Sequence, residues 1–338
     1  PEAPFTCPGD ADPVLGTLVL QPGFRVAGSA VLPKGVSAVT GVARGGNDEI
    51  FALGGDKKVR SLGLWPALAT PSEPLFEVIP AGEDGEDVHP SAYLVASGDW
   101  LLAGFTHSEE GAPGKVALYA GDTGEVSYLE APGNYSAAGW GQSGFLVNGL
   151  NLGGPAWAVG VYGLNVESPA PNRTRPVAEF PETWRAANGY IAVTPAGVTV
   201  LGHYSSLDNR TRMHAVPPGP VRRALDGGGP LAVASGLEVY AGGDLLGAAA
   251  FGEGVALLRG AFESIPPYRA IPEEIRRVPL NVVRPNGGLE AVTAGDSEVV
   301  LDAVDACTEV PYLTSLGEGL ALVISDARSR RLVVVAPE

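Results

Sequence analysis

The strongest constraint on this chain is repetition. A unit of apolar strand, tight turn with Gly, Asp or Asn, and second apolar strand recurs from one end to the other. It reads Ala38-VTGVARGGNDEIFALGG, Ser91-AYLVASGDWLLAGF, Tyr135-SAAGWGQSGFLVNG, Gly189-YIAVTPAGVTVLGH, Leu231-AVASGLEVYAGG, Leu289-EAVTAGDSEVVLDA and Tyr312-LTSLGEGLALVIS. One or two further short strands follow each unit, among them Lys58-VRSLGLW, Lys115-VALYAG and Arg331-LVVVAP. β-Branched and aromatic residues dominate these runs, as a pleated, half-buried surface favours. The 47 Gly and 30 Pro are spread along the whole length. Inside helices each Gly would cost about 1 kcal/mol relative to Ala and each Pro about 3. Turns between strands need the φ angles these residues supply.

About four strands in every 40–50 residues is the pattern of propeller blades. The predicted fold is all-β: a single β-propeller domain over 1–338, with seven blades, or six as the alternative. The blades are placed at 34–81, 88–132, 133–182, 185–228, 229–265, 266–309 and from 310 onward. The stretch 229–309 carries the ambiguity, as two lean blades or one blade with insertions. The last blade offers only three strands, around Tyr312, Leu320 to Ile324, and Leu332 to Ala336. Residues 1–33 form an N-terminal extension whose strand Phe24 to Leu32 has no blade of its own, and it is predicted to pair with the C-terminal blade. That pairing removes a free sheet edge. A pair of β-sandwiches would use the same turn residues but would not explain the missing fourth strand. Two segments break the β pattern. Pro272-EEIRR has proline first, acids next and arginines last, which predicts a short helix. Pro181-ETWRAANG predicts another, ending at Gly189.

Cys7 and Cys307 stand near opposite ends, in no C-x-x-C pair. They predict a disulfide that ties the ends together, and hence an oxidising compartment: secreted, periplasmic or cell-surface. Pro1 in place of an initiator Met fits a processed chain. The net charge of −16 disfavours nucleic acid and anionic lipid, both of which are held by Lys and Arg. No apolar run approaches the roughly 18 residues of a membrane-spanning helix.

No catalytic motif stands out. Gly139-Trp-Gly-Gln-Ser-Gly144 fits G-x-G-x-x-G but runs into the strand-like Phe145-LVNG, whereas a dinucleotide site needs a helix there. The histidines, His89, His107, His203 and His214, show no H-x-x-x-H spacing. Glu83, Asp84, Glu86, Asp87 and His89 share one segment with Gly85. It reads first as a solvated acidic loop and second as a calcium site, since hard cations want several oxygen ligands. Asn134, Asn172 and Asn209 each begin an N-x-[ST] glycosylation pattern. Trp140, Trp157, Tyr162, Trp184 and Tyr204 read as packing residues between sheets, with a glycan- or protein-binding surface as the alternative. The functional expectation is a secreted or cell-envelope binding or scaffold module that recognises a protein or glycan through one face of the propeller. Two alternatives remain: a metal-dependent propeller hydrolase or lactonase, and a structural subunit of an extracellular assembly.

Overall fold

The computed structural model describes residues 18–69, 73–79, 88–107, 114–131, 134–150, 159–167, 174–184, 186–205, 207–262, 270–302, 309–325 and 330–338. The first strand, β1 (Phe24–Leu32), is followed by the first complete sheet: β2 (Val36–Arg44), β3 (Asn47–Gly54), β4 (Lys58–Leu64) and β5 (Phe76–Glu77). The second sheet is β6 (Val88–Ser97), β7 (Trp100–His107), β8 (Gly114–Ala120) and β9 (Val126–Ala131). The third is β10 (Asn134–Trp140), β11 (Gly144–Leu150), β12 (Val159–Asn165) and β13 (Arg175–Glu179). The fourth begins with β14 (Ala186–Val193), β15 (Thr199–Ser205) and β16 (Arg210–Val216). Helix α1 (Pro218–Leu225) and β17 (Leu231–Ala232) are inserted before its last strand, β18 (Leu237–Gly242), and β17 pairs in parallel with β13 as the outer strand of the third sheet. The fifth contains β19 (Leu245–Ala250), β20 (Gly254–Phe262), β21 (Ala270–Val283), β22 (Ala291–Ala294) and β23 (Glu298–Leu301). The sixth contains β24 (Glu309–Leu316), β25 (Gly319–Ser325) and β26 (Arg330–Pro337), with β1 as its outer strand.

The first strand of each sheet touches the first strand of the next, through β2, β6, β10, β14, β19 and β24, and β24 touches β2 again. The fold is therefore a six-bladed β-propeller. The apolar core confirms the count, because it falls into six clusters, one in each gap between neighbouring blades. Side chains alternate along a strand, so each blade sends one set to the blade before it and the other to the blade after. Glycines permit the closest approaches. A Cβ on Gly139 would overlap the carbonyl oxygen of Ala96, and one on Gly41 would overlap Leu316. The G-x-G-x-x-G stretch is thus the β10–β11 hairpin turn, with Gly141 at φ 65.

Seven blades is corrected to six. Leu237–Gly242 is the fourth strand of blade 4, displaced along the sequence by the α1 insertion, so 245–301 makes one blade. Its third strand, β21, is 14 residues long. It pairs with β20 and β23 over its first part and with β22 over its last. The predicted helix at Pro272 lies inside this strand. Pro272 is accommodated beside the bulge between Arg259 and Gly260, where a strand tolerates proline. Glu274 is bonded by Arg259 across the ladder and by Arg276 along it. The second predicted helix is only a 3-10 turn, Glu182–Trp184. Gly189 does not end it but stands in β14 against Asn148.

The N-terminal segment spans two blades. Gln21 N donates to Val300 O at 3.0 Å and Asp302 N to Val19 O at 3.2 Å, on the outer edge of blade 5. The chain then turns at Gly23, φ 94, and β1 runs antiparallel to β26, from Phe24 opposite Pro337 to Leu32 opposite Arg330.

Candidate functional site

All six inner strands run in the same sense, from an upper face, where they begin, to a lower face. Their first halves enclose a chamber of about 490 Å³ and their second halves a smaller one of about 130 Å³. Tyr312 borders both. It starts on blade 6, and its hydroxyl reaches the inner strand of blade 2, donating to Leu94 O at 2.9 Å and accepting from Leu94 N at 3.4 Å. An innermost strand has an unpaired backbone edge on the channel, and unmade buried hydrogen bonds are costly. Tyr312 therefore satisfies both groups of Leu94 while dividing the channel in two. Burial pushes its phenol up to about 12, partly offset by the Leu94 amide, so it stays a neutral donor.

Other side chains stitch neighbouring blades in the same way. Ser136 Oγ donates to Gly189 O at 3.2 Å, Tyr190 donates to Leu245 O at 2.6 Å, and Arg330 donates to Val36 O. The Tyr190 phenol is likewise raised by burial. The walls of the upper chamber mix small residues, such as Ser37, Ser136 and Gly189, with bulky ones, among them Tyr93, Tyr190 and Ile191. Among the described lining residues the only formally charged group is Arg330. Among its described lining residues the chamber offers hydroxyls, backbone groups and aromatic surface.

Long connections between strands leave both faces. Those of the upper face include 80–87, 108–113, 151–158, 263–269 and 303–308; those of the lower face include 65–75 and 217–236, the second carrying α1, beside tight turns such as 45–46, 98–99 and 317–318. Glu83, Asp84, Glu86 and Asp87 lie outside the described residues, as do Cys7, Cys307, Asn172 and Trp157. His89 is described by its backbone alone, in β6, and Asn134 by its backbone at the start of β10. Asn209 sits exposed on the β15–β16 turn at the upper face, at φ 54, with its Oδ1 accepting from Tyr204 at 2.8 Å. Two of the aromatic candidates pack between blades. Trp140 packs into the gap between blades 3 and 4 under the guanidinium of Arg222, and Trp184 packs into the same gap.

The lower face carries a groove of about 880 Å³ between α1 and the β21–β22 hairpin, with Arg223, Leu237, Arg284 and Leu289 among its walls. Glu290 clamps it. Its carboxylate accepts from Gly219 N, in the first turn of α1, at 2.9 Å and from Arg284. The helix end is therefore already occupied by a carboxylate of the chain itself, as its dipole favours. Hydrogen bonds from Arg284 and then Gly219 hold that carboxyl below its ordinary range.

Sequence reasoning missed Tyr312 as the channel crossing. Tyr93, Tyr190 and Tyr312 all stand near the middle of an inner strand, and only the folded ring shows which one spans it.

No family model matches the chain, and no curated protein does. Solved structures do resemble it. One is a Thermus thermophilus protein provisionally assigned as an oxidoreductase (glucose dehydrogenase), with TM-score 0.52 and 13% identity over 94% of this chain and 100% of that one. Another is the Myceliophthora thermophila Cps50 β-propeller domain, with TM-score 0.46 and 12% identity over 93% and 100%. A third is the Aleuria aurantia lectin with α-methyl-L-fucoside, at 0.44 and 11% over 92% and 97%. At these identities the likeness concerns the fold alone.

Proposed function

We propose that this protein is a binding or scaffold module of the cell envelope or extracellular space, holding a protein or glycan partner on the upper face of its disc. The observation that carries this reading is the Tyr312 crossing. It divides the channel and leaves above it a chamber lined by small residues, tyrosines and aliphatic side chains, with Arg330 as the charged group among the described lining, on the side of the connections 80–87, 151–158 and 303–308. Loops on a rigid scaffold are where binding residues concentrate. The chamber floor is held by hydrogen bonds between blades, so it is preformed.

The experiment compares binding to a panel of immobilised neutral glycans and to intact cell envelopes. The parent chain is set against Ser136→Trp, which fills the upper chamber, and Glu253→Arg, which changes the lower face. Binding lost in the first variant and kept in the second supports the reading. Loss in the second alone, or turnover of lactone or ester substrates with added calcium, overturns it in favour of the lower face or of a hydrolase.

A further inference from the structure

The apolar gap between blades 3 and 4 contains a polar island. His203 on β15 and Asn148 on β11 are wholly buried, and His214 on β16 is 5% exposed. Among the described residues, neither ring nitrogen of His203, neither amide atom of Asn148, nor Nδ1 of His214 has a hydrogen-bond partner. Buried polar groups are rarely left unpaired. Five such atoms in one gap carry a cost comparable with the net stability of a domain.

These groups face one another. Gly189 is the ladder partner of His203, and a Cβ on Gly189 would overlap the amide of Asn148. Side chains of ladder partners point to the same side of a sheet, so the amide approaches the side on which His203 lies. Leu201 is opposite His214 in the next ladder, which puts both imidazoles on that side. Trp184 covers them. Its ring centroid is 4.7 Å from that of His203 and 5.0 Å from that of His214, the imidazoles are 6.4 Å apart, and each pair of planes lies within 21° of parallel. An indole sandwiched between two imidazoles would hold them about 7 Å apart, at about 3.5 Å per contact. The two imidazoles therefore lie side by side on one side of the indole. Their in-plane lone pairs run parallel to it.

We propose that His203, His214 and Asn148 form a binding site for one late first-row divalent ion, zinc(II) or copper(II). Imidazole nitrogen is a favoured donor for these metals. A metal–nitrogen bond of about 2.0–2.1 Å puts the metal about 3.2 Å from a ring centre, so 6.4 Å is the outer limit for two imidazoles on one ion. A tetrahedral angle draws the rings about 1 Å closer. His214 Nδ1 is buried without a partner among the described residues and is the nitrogen offered to the metal. Nε2 lies on the side of Glu238, 3.9 Å from its Oε2, which is too long for a hydrogen bond but would become the outer carboxylate contact of a metal-binding histidine if the gap closed on binding. Asn148 Oδ1 is the third donor. No three His, Cys, Asp or Glu side chains converge among the described residues, so the amide is what completes the set. The nearest cation, Arg212, is paired with Asp208.

The test uses the full chain after dialysis against a chelator, titrated with zinc by calorimetry and with copper(II) by tryptophan fluorescence. The expected result is one ion per chain, a raised melting temperature, and quenching of about the share of one tryptophan among five. Trp184→Phe keeps zinc binding but loses the copper quench. Glu238→Gln, at a half-exposed position that leaves the core intact, weakens binding about 10-fold. His203→Gln and His214→Gln abolish it. His89 and His107 lie near each other in the β6–β7 ladder, so His89→Ala with His107→Ala serves as the competing-site control and leaves binding unchanged. No metal uptake by the parent would mean that water fills the island and would overturn the proposal. Uptake lost only in the His89/His107 control would overturn it as well.

Discussion

The hydroxyl of Tyr312 bonds both backbone groups of Leu94, 218 residues away in sequence and across the channel. It links blade 6 directly to blade 2, bypassing blade 1. Tyr312→Phe removes both bonds and leaves the amide and carbonyl of Leu94 unpaired inside the ring. The expected loss is about 1–3 kcal/mol, read as a lower urea midpoint with an unchanged slope. An unchanged midpoint would mean that water replaces the phenol without cost.

Deleting residues 1–33 removes β1 and the Val19 to Gln21 contacts with blade 5. It exposes the edge of β26, and with it the adjacent wall of the core that contains Leu332 and Val334. The whole domain is expected to melt at a lower temperature, with no separate early transition. Melting that matches the full chain would show β1 to be a dispensable addition.

Gly139→Ala sets a methyl group against the carbonyl of Ala96. Both atoms belong to inner-strand backbones, so neither can swing aside. Overpacking of this kind costs about 1–3 kcal/mol. Gly124→Ala is the contrasting control, because nothing lies near its Cβ position and only its φ of 72 is strained. Equal losses in the two variants would show that backbone strain dominates over blade contact.

Glu274 links stability to pH. Burial pushes its carboxyl up, but the hydrogen bonds and charges of Arg276 and Arg259 outweigh this and hold it below the ordinary 4.5. A carboxyl with a lower pKa in the folded state stabilises the fold above its unfolded value, and that contribution is lost as pH falls through the folded value. Glu274→Gln is expected to cost about 1–3 kcal/mol at pH 7. Its melting temperature should also fall less steeply than that of the parent between about pH 5 and pH 3, a range set by the ordinary value of about 4.3. Parallel curves for the two proteins would rule out a special role for Glu274.

Much of the architecture was legible because strand repeats and the spare strand at Phe24 to Leu32 follow from local patterning. The blade count was not. The prolines at 217, 218 and 220 look like turn punctuation, yet Pro218 and Pro220 fall in the first turn of α1, where a helix needs no amide donors. The insertion pushed the fourth strand of blade 4 into what read as a new blade. At Pro272 the order of proline, acids and arginines satisfies a helix, but the partners that decide the outcome, Arg259 and the β23 strand, come from other parts of the chain. The histidine pair was hidden for a related reason. A search for helical spacing passes over residues 11 apart, whereas counting outward from the turn near Asn209 places His203 and His214 diagonally on one face of a hairpin.

The pairing of β1 with β26 also sets an order of events during synthesis. β1 leaves the ribosome before any blade exists, and its partner β26 follows blades 1 to 5. Those five blades can assemble as they emerge, but the sixth must wait for β26. Until then the ring stays open and both faces of the missing wedge are wet. A chain with this connectivity closes its core in one late step, when its earliest strand meets a strand made about 300 residues afterwards.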